Sequence, residues 1–265
     1  MIRLLISALA GWGVLAGGAA AQQPLMTGLA IYDVGLDPEN TGGLAAITGA
    51  MTVRLERDCD AYVTEAELDA RLSGGEGMAL PLEVTSRHVE SADRLEFDIT
   101  SSLAGVEVDR ARGVATREAD GIAVTLEKPK NGTARLDGDV LFPLALIEAA
   151  IGAAQAGETF REFRTFDGTG KGREVWTVSL LITPAGDAAG EDEFAAGLGF
   201  ADMPHWRMGL AYFPPGVGGE QTPAFSTSMV VYENGFAQAA VYDLGEFALR
   251  LTLTEFRPLP ETPCP

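Results

Sequence analysis

The chain has 265 residues, 46% of them hydrophobic, and 38 acidic against 19 basic side chains give it a formal net charge of −19. So negative a surface repels phosphate backbones and anionic headgroups, which excludes nucleic-acid binding and electrostatic adhesion to a lipid surface. The acidity suits solubility in a salty habitat, and the apolar content is ample for the core of one large domain.

The first residues read as a targeting segment. Arg3 is a short positive region, residues 4–16 are apolar apart from Ser7 and glycines, and Ala19-Ala20-Ala21 supplies the small side chains of a signal-peptidase site. The run is shorter than the roughly 20 apolar residues that span a bilayer, and no cysteine stands at the cleavage point to carry a lipid. The expectation is a cleaved secretory signal over 1–21 and a single domain over 22–265, whose 244 residues carry a charge of −20 once Arg3 is gone. No later stretch is long and apolar enough to cross a membrane.

Residues 28–36 read as a first strand, and Asp37-Pro38-Glu39-Asn40-Thr41-Gly42-Gly43 as a turn cluster. Met51, Val53 and Leu55 then alternate with Thr52, Arg54 and Glu56, the period of a strand with one buried face, and this strand runs into Cys59. A second half-buried strand follows at 62–68, then a loop at 73–77. Further strands are expected at 81–90, 94–100, 113–118 and 122–127, with Asp120-Gly121 and Asn131-Gly132 as hairpin turns. The spacing predicts one helix over 142–157. Pro143 suits its first position and Gly157 its C-terminal cap, and Leu144, Ile147, Ile151 and Ala154 share a face that would cover one side or the open end of the sheet. Strands resume at 160–166 and 175–182. A loop with a short helix is expected over 184–199, a strand at 205–213 and a loop at 216–223. The last strands are 225–232, 236–242 and a final run in which Phe247, Leu249, Leu251 and Leu253 alternate with Ala248, Arg250, Thr252 and Thr254. About fourteen strands with turns between them predict a mainly β, meandering antiparallel sheet rather than βαβ units.

Motif chemistry is sparse. His88 and His205 are far apart, and neither His-Glu-x-x-His nor Cys-x-x-Cys occurs, so no metal ligand set is expected. The acids at Asp37 and Glu39 lack the bidentate acid of a calcium loop, where Thr48 stands, and Val63 replaces the obligatory glycine in the stretch from Asp58. Gly168-Thr169-Gly170-Lys171-Gly172 is not a phosphate loop, because Thr165 stands where the first glycine belongs and a strand follows. No catalytic residue and no cofactor is expected. Trp176, Trp206, Tyr212, Phe213 and Tyr232 could line a cavity for an acyl chain on a curved sheet, although such residues are more often plain core. Two cysteines in an exported chain, Cys59 and Cys264, suggest one disulfide. Free thiols or an intermolecular bridge are the alternatives. Closing so long a loop would stabilise the fold by about 5 kcal/mol in the chain-entropy picture.

Several segments, in order, resemble the cell envelope integrity EipB family of exported alphaproteobacterial proteins. They are Ile31-Tyr32-Asp33-Val34-Gly35-Leu36-Asp37, then Ile47-x-Gly49-x-Met51 leading to Cys59-Asp60-Ala61-Tyr62, then Leu141-Phe142-Pro143 with Ala154-Gln155-Ala156-Gly157-Glu158 and Phe166-Asp167-Gly168. Trp206-Arg207-Met208-Gly209-Leu210-Ala211-Tyr212-Phe213, Val231-Tyr232-Glu233-Asn234-Gly235, Leu253-Thr254-Glu255-Phe256 and Cys264 complete the set. The resemblance implies a periplasmic β-spiral of about fourteen strands around one helix, similar in outline to the lipoprotein carriers LolA and LolB, with a disulfide carried here by Cys59 and Cys264. It implies a non-enzymatic factor that maintains the cell envelope by binding an envelope protein or a lipid, with a lipid or lipoprotein carrier as the alternative.

Overall fold

A computed structural model of the chain describes residues 24–77, 79–186, 193–200, 202–215 and 222–260. The strands are β1 (Gly28–Leu36), β2 (Ala46–Asp58), β3 (Ala61–Ser73), β4 (Ala79–Glu90), β5 (Arg94–Leu103), β6 (Val106–Glu118), β7 (Gly121–Lys128) and β8 (Gly132–Asp137). After the helix α1 (Pro143–Gln155) come β9 (Phe160–Thr165), β10 (Trp176–Pro184), β11 (His205–Phe213), β12 (Phe225–Tyr232), β13 (Ala237–Asp243) and β14 (Ala248–Pro258). A short helical turn, Glu193–Gly197, lies inside the loop expected at 184–199.

All fourteen strands form one antiparallel sheet in the order β8 to β1, then β14 down to β9. Each half is a meander of hairpins, which keeps sequence neighbours adjacent in space. The halves join where β1 pairs with β14, placing Gly28 opposite Pro258 and Leu36 opposite Leu249.

The two edge strands are brought together by the segment between β8 and α1. The Leu141 N–H donates to the Arg164 carbonyl at 2.8 Å and the Phe166 N–H donates to the Leu141 carbonyl at 2.9 Å. The sheet therefore winds round until one strand of chain bridges its ends. That takes up the Arg164 carbonyl and the Phe166 N–H at the β9 edge.

Side chains on the inner face follow the period-2 pattern. Met51 faces Leu68, Gly49 faces Ala70 and Ile47 faces Leu72 across β2 and β3. Gly49 has no room for a side chain, since a Cβ there would lie 2.2 Å from the Asp69 carbonyl oxygen. The Asp37 cluster is structural rather than ligating. Asp37 accepts the Glu39 N–H at 2.9 Å and pairs with Arg250 at 2.7 Å, which ties the β1–β2 turn to β14.

The largest departures from the sequence reading are β6 and β8, while β3 and β14 run on to Ser73 and Pro258. β6 begins at Val106 because Ala104 and Gly105, both at positive φ, make a tight turn directly after β5. Exposed Val106 and Val108 hide its inward alternation. β8 follows the Asn131-Gly132 turn and contributes only six residues.

Candidate functional site

The helix α1 sits inside the sheet rather than over an end of it. Leu144, Leu146, Ala150, Ile151, Ala153 and Ala154 are buried, and they pack with Val178 and Leu180 of β10 as well as with Leu55 and Tyr62 from the opposite half. Its sequence lacks an N-terminal side-chain cap, since Phe142 stands there followed by Pro143. The cap comes from β4 instead. The Leu144 N–H donates to Glu90 Oε2 and the Ala145 N–H donates to Glu90 Oε1, each at 2.9 Å. These are two of the donors that a helix start leaves unpaired. At the other end Gly157, at φ 76°, donates to Ala154 O and Glu158 donates to Ala153 O, both at 3.0 Å, closing the last turn.

Ile147 departs from the expected helical stripe. It is 37% exposed although it lies on a buried helix. The reason is a cavity of about 310 Å³ between α1 and the sheet. Pro143, Leu146, Ile147 and Ala150 form the helical wall. The sheet wall is built from alternate residues of β11 (Met208, Leu210, Tyr212) and β12 (Phe225, Thr227, Met229, Val231), with Tyr242 of β13 beside them. Tyr212 and Phe225 stack with ring centres 4.2 Å apart, and Trp176 meets Phe225 edge-on from behind at 5.4 Å.

Polar groups gather at one end. Asp167 is the one charged side chain among the described lining residues. Its Oδ1 accepts the Thr169 hydroxyl at 2.6 Å and the Thr169 N–H at 2.9 Å, and the Trp176 indole in turn donates to that hydroxyl at 3.0 Å. The His88 ring is 3.0 Å from the Asp167 carbonyl through Nε2, an arrangement in which Nε2–H donates. Burial holds His88 below its usual range, and the contact with Asp167 partly offsets this. Burial pushes the Tyr212 phenol up, with Tyr242 and then Asp167 adding to the effect, and burial does the same to Tyr242. Both therefore face the cavity as neutral hydroxyls. Thr227 is 5% exposed, and its buried Oγ1 hydrogen-bonds to nothing among the described residues.

Of the five aromatics that the sequence offered as cavity-lining, only Tyr212 does so. Trp176 is core and backs the wall, Trp206 packs on the same core, and Tyr232 is buried with Phe200 and Phe236 in a separate cluster. Phe213 is half-buried and does not line the cavity. Sequence reasoning missed Met208, Phe225, Thr227, Met229, Tyr242 and Asp167. The alternation along β11 and β12 gives their common face, but not the stretch of it that lies beneath the helix.

Cys59 lies in the two-residue turn between β2 and β3 at φ 52°, and Cys264 lies outside the described residues. No group of three or more metal-ligating side chains occurs among the described residues, nor any helix long and apolar enough to cross a membrane.

The protein is a mainly β chain whose single fourteen-stranded sheet winds about an internal helix and an apolar cavity. The model of the family described as EipB-like matches residues 19–260, and the chain belongs to that family. It is 27% identical over 245 residues to the cell envelope integrity protein EipB of Brucella abortus (strain 2308), covering 90% of this chain and 87% of that protein. It also superposes on the crystal structure of a β-barrel-like protein of a domain of unknown function from Brucella abortus. There the TM-score is 0.77 at 25% identity, over 89% of this chain and 99% of the other.

Proposed function

We propose that this chain is an exported, periplasmic factor that maintains cell envelope integrity without catalysis. It works by holding the apolar part of an envelope lipid, or of a lipid-modified protein, in the cavity under α1. The observation that carries this reading is the cavity itself. A soluble core closes on its side chains at near-crystalline density. Here a buried helix keeps Ile147 uncovered, and Met208, Leu210 and Met229 face it across open space. The volume lies at the small end of the range for ligand sites. The name of the Brucella relative supports the envelope role.

Native mass spectrometry of the mature protein, purified gently from periplasm, tests this. An adduct of lipid mass that detergent removes is expected, and Leu210→Trp, which fills the cavity, should lose it while keeping the fold. A bare protein in both cases would refute the lipid reading and leave a protein partner to be sought.

A disulfide between Cys59 and Cys264 completes the proposal. The end of β14 runs toward Cys59, because Gly28 pairs with Pro258 on one side and Leu55 on the other. Thr27 and Leu259 extend that contact through the Thr27 hydroxyl, which donates to the Leu259 carbonyl at 3.0 Å. Cys59 lies four residues past Leu55, and Cys264 four past Pro260. Four extended residues span about 13 Å, a reach that supports this pairing.

A further inference from the structure

The cavity is graded along its strands. At one end the register places Tyr212 beside Phe225, and then Leu210 beside Thr227 with Tyr242 on the far side. Further along, Met208 pairs with Met229, and beyond them lies Val231. Asp167 belongs to the Tyr212 end, where Trp176 and Thr169 hold it. From Tyr212 to Met208 is four residues of strand, about 13 Å at 3.3 Å per residue. The 310 Å³ of the cavity holds roughly ten water-sized or methylene-sized groups at about 30 Å³ each.

Building on the cavity reading above, we propose that the site takes a single-chain amphipath of roughly ten carbons. Its tail lies against Met208, Met229 and Val231. Its head, a hydroxyl or an ammonium rather than a carboxylate or phosphate, meets Asp167, Tyr212, Tyr242 and Thr227. The Asp167 carboxylate accepts hydrogen bonds and repels anions, and a low-dielectric surround strengthens both effects. The three hydroxyls serve any head that can both donate and accept. No cation lines the described cavity to neutralise an acid.

Titration of the mature protein with decan-1-ol, decylamine and decanoate near neutral pH tests the assignment, read by tyrosine and tryptophan fluorescence and by native mass. The alcohol and the amine should bind at least about tenfold more tightly than the acid, a gap of ~1.4 kcal/mol. Asp167→Asn, which keeps the acceptor for Thr169 but removes the charge, should narrow that gap by tightening decanoate and weakening decylamine. Decanoate binding as tightly as the others would overturn the head-group assignment alone, as would a gap that Asp167→Asn leaves unchanged. If none of the three binds, the cavity reading itself fails with it.

Discussion

Glu90 serves the helix from a neighbouring strand. Burial pushes its carboxyl up to about 7, and the two backbone donors and Arg117 pull against that while Glu148 adds to it. The fold therefore favours the acid form. Its contribution to stability is complete below about pH 4.5 and is lost as the pH rises through 7. The shift corresponds to about 3 kcal/mol at 1.36 kcal/mol per pKa unit. Chemical denaturation from pH 5 to 8 should show wild-type stability falling, and Glu90→Gln should flatten that slope. An identical slope in the variant would assign the titration to another group. Nothing in the sequence marks Glu90 for this task. It looks like one more surface acid on a strand, because its donors lie 54 and 55 residues away along the chain.

At the scale of elements, α1 has two kinds of apolar position that one helical stripe cannot tell apart. Ile151 is 1% exposed and packed on all sides, whereas Ile147 faces the cavity. Ile151→Ala should cost about 3 kcal/mol, since it removes buried methylenes and leaves a void. Ile147→Ala should cost less than about 1 kcal/mol, since its side chain already lacks neighbours on one side. It should, however, weaken binding of an apolar probe. Equal destabilisation by the two changes, measured by urea unfolding, would mean that the cavity closes in solution. The helix boundaries were legible, because Pro143 and Gly157 are local signals. The place of the helix inside the sheet was not legible in its periodicity, and only the family resemblance implied it, because an apolar face points to burial without naming the partner.

For the molecule as a whole, stability depends on joining two meanders that lie far apart in sequence. The β1–β14 pairing does this by hydrogen bonds, and the proposed bond between Cys59 and Cys264 would do it covalently at the same end. Cys59→Ser should then lower the melting temperature by about 4–16 °C, taking about 2–4 kcal/mol for the bond and about 2–4 °C per kcal/mol for a chain of this size. Intact mass should rise by two hydrogens on reduction of the wild type. A melting temperature unchanged by Cys59→Ser, or two alkylatable thiols in the native protein, would overturn the clamp.

The sequence by itself determined the elements. Period-2 alternation, turn dipeptides and the Pro143 and Gly157 punctuation are local, and local sterics and solvent partition set them whatever the rest of the chain does. Thirteen of the fourteen strands and one long helix follow, as does the antiparallel sense of the tight hairpins, because a turn of a few residues allows nothing else. The winding of that sheet, the capture of α1 within it and the cavity beside Ile147 were decided only by tertiary structure. Their cause is long-range closure. Leu141 lies on β9, Glu90 holds the helix start, and residues of β9 to β13 meet residues from the far side of the spiral, so no window of neighbouring residues contains the contacts that make the site.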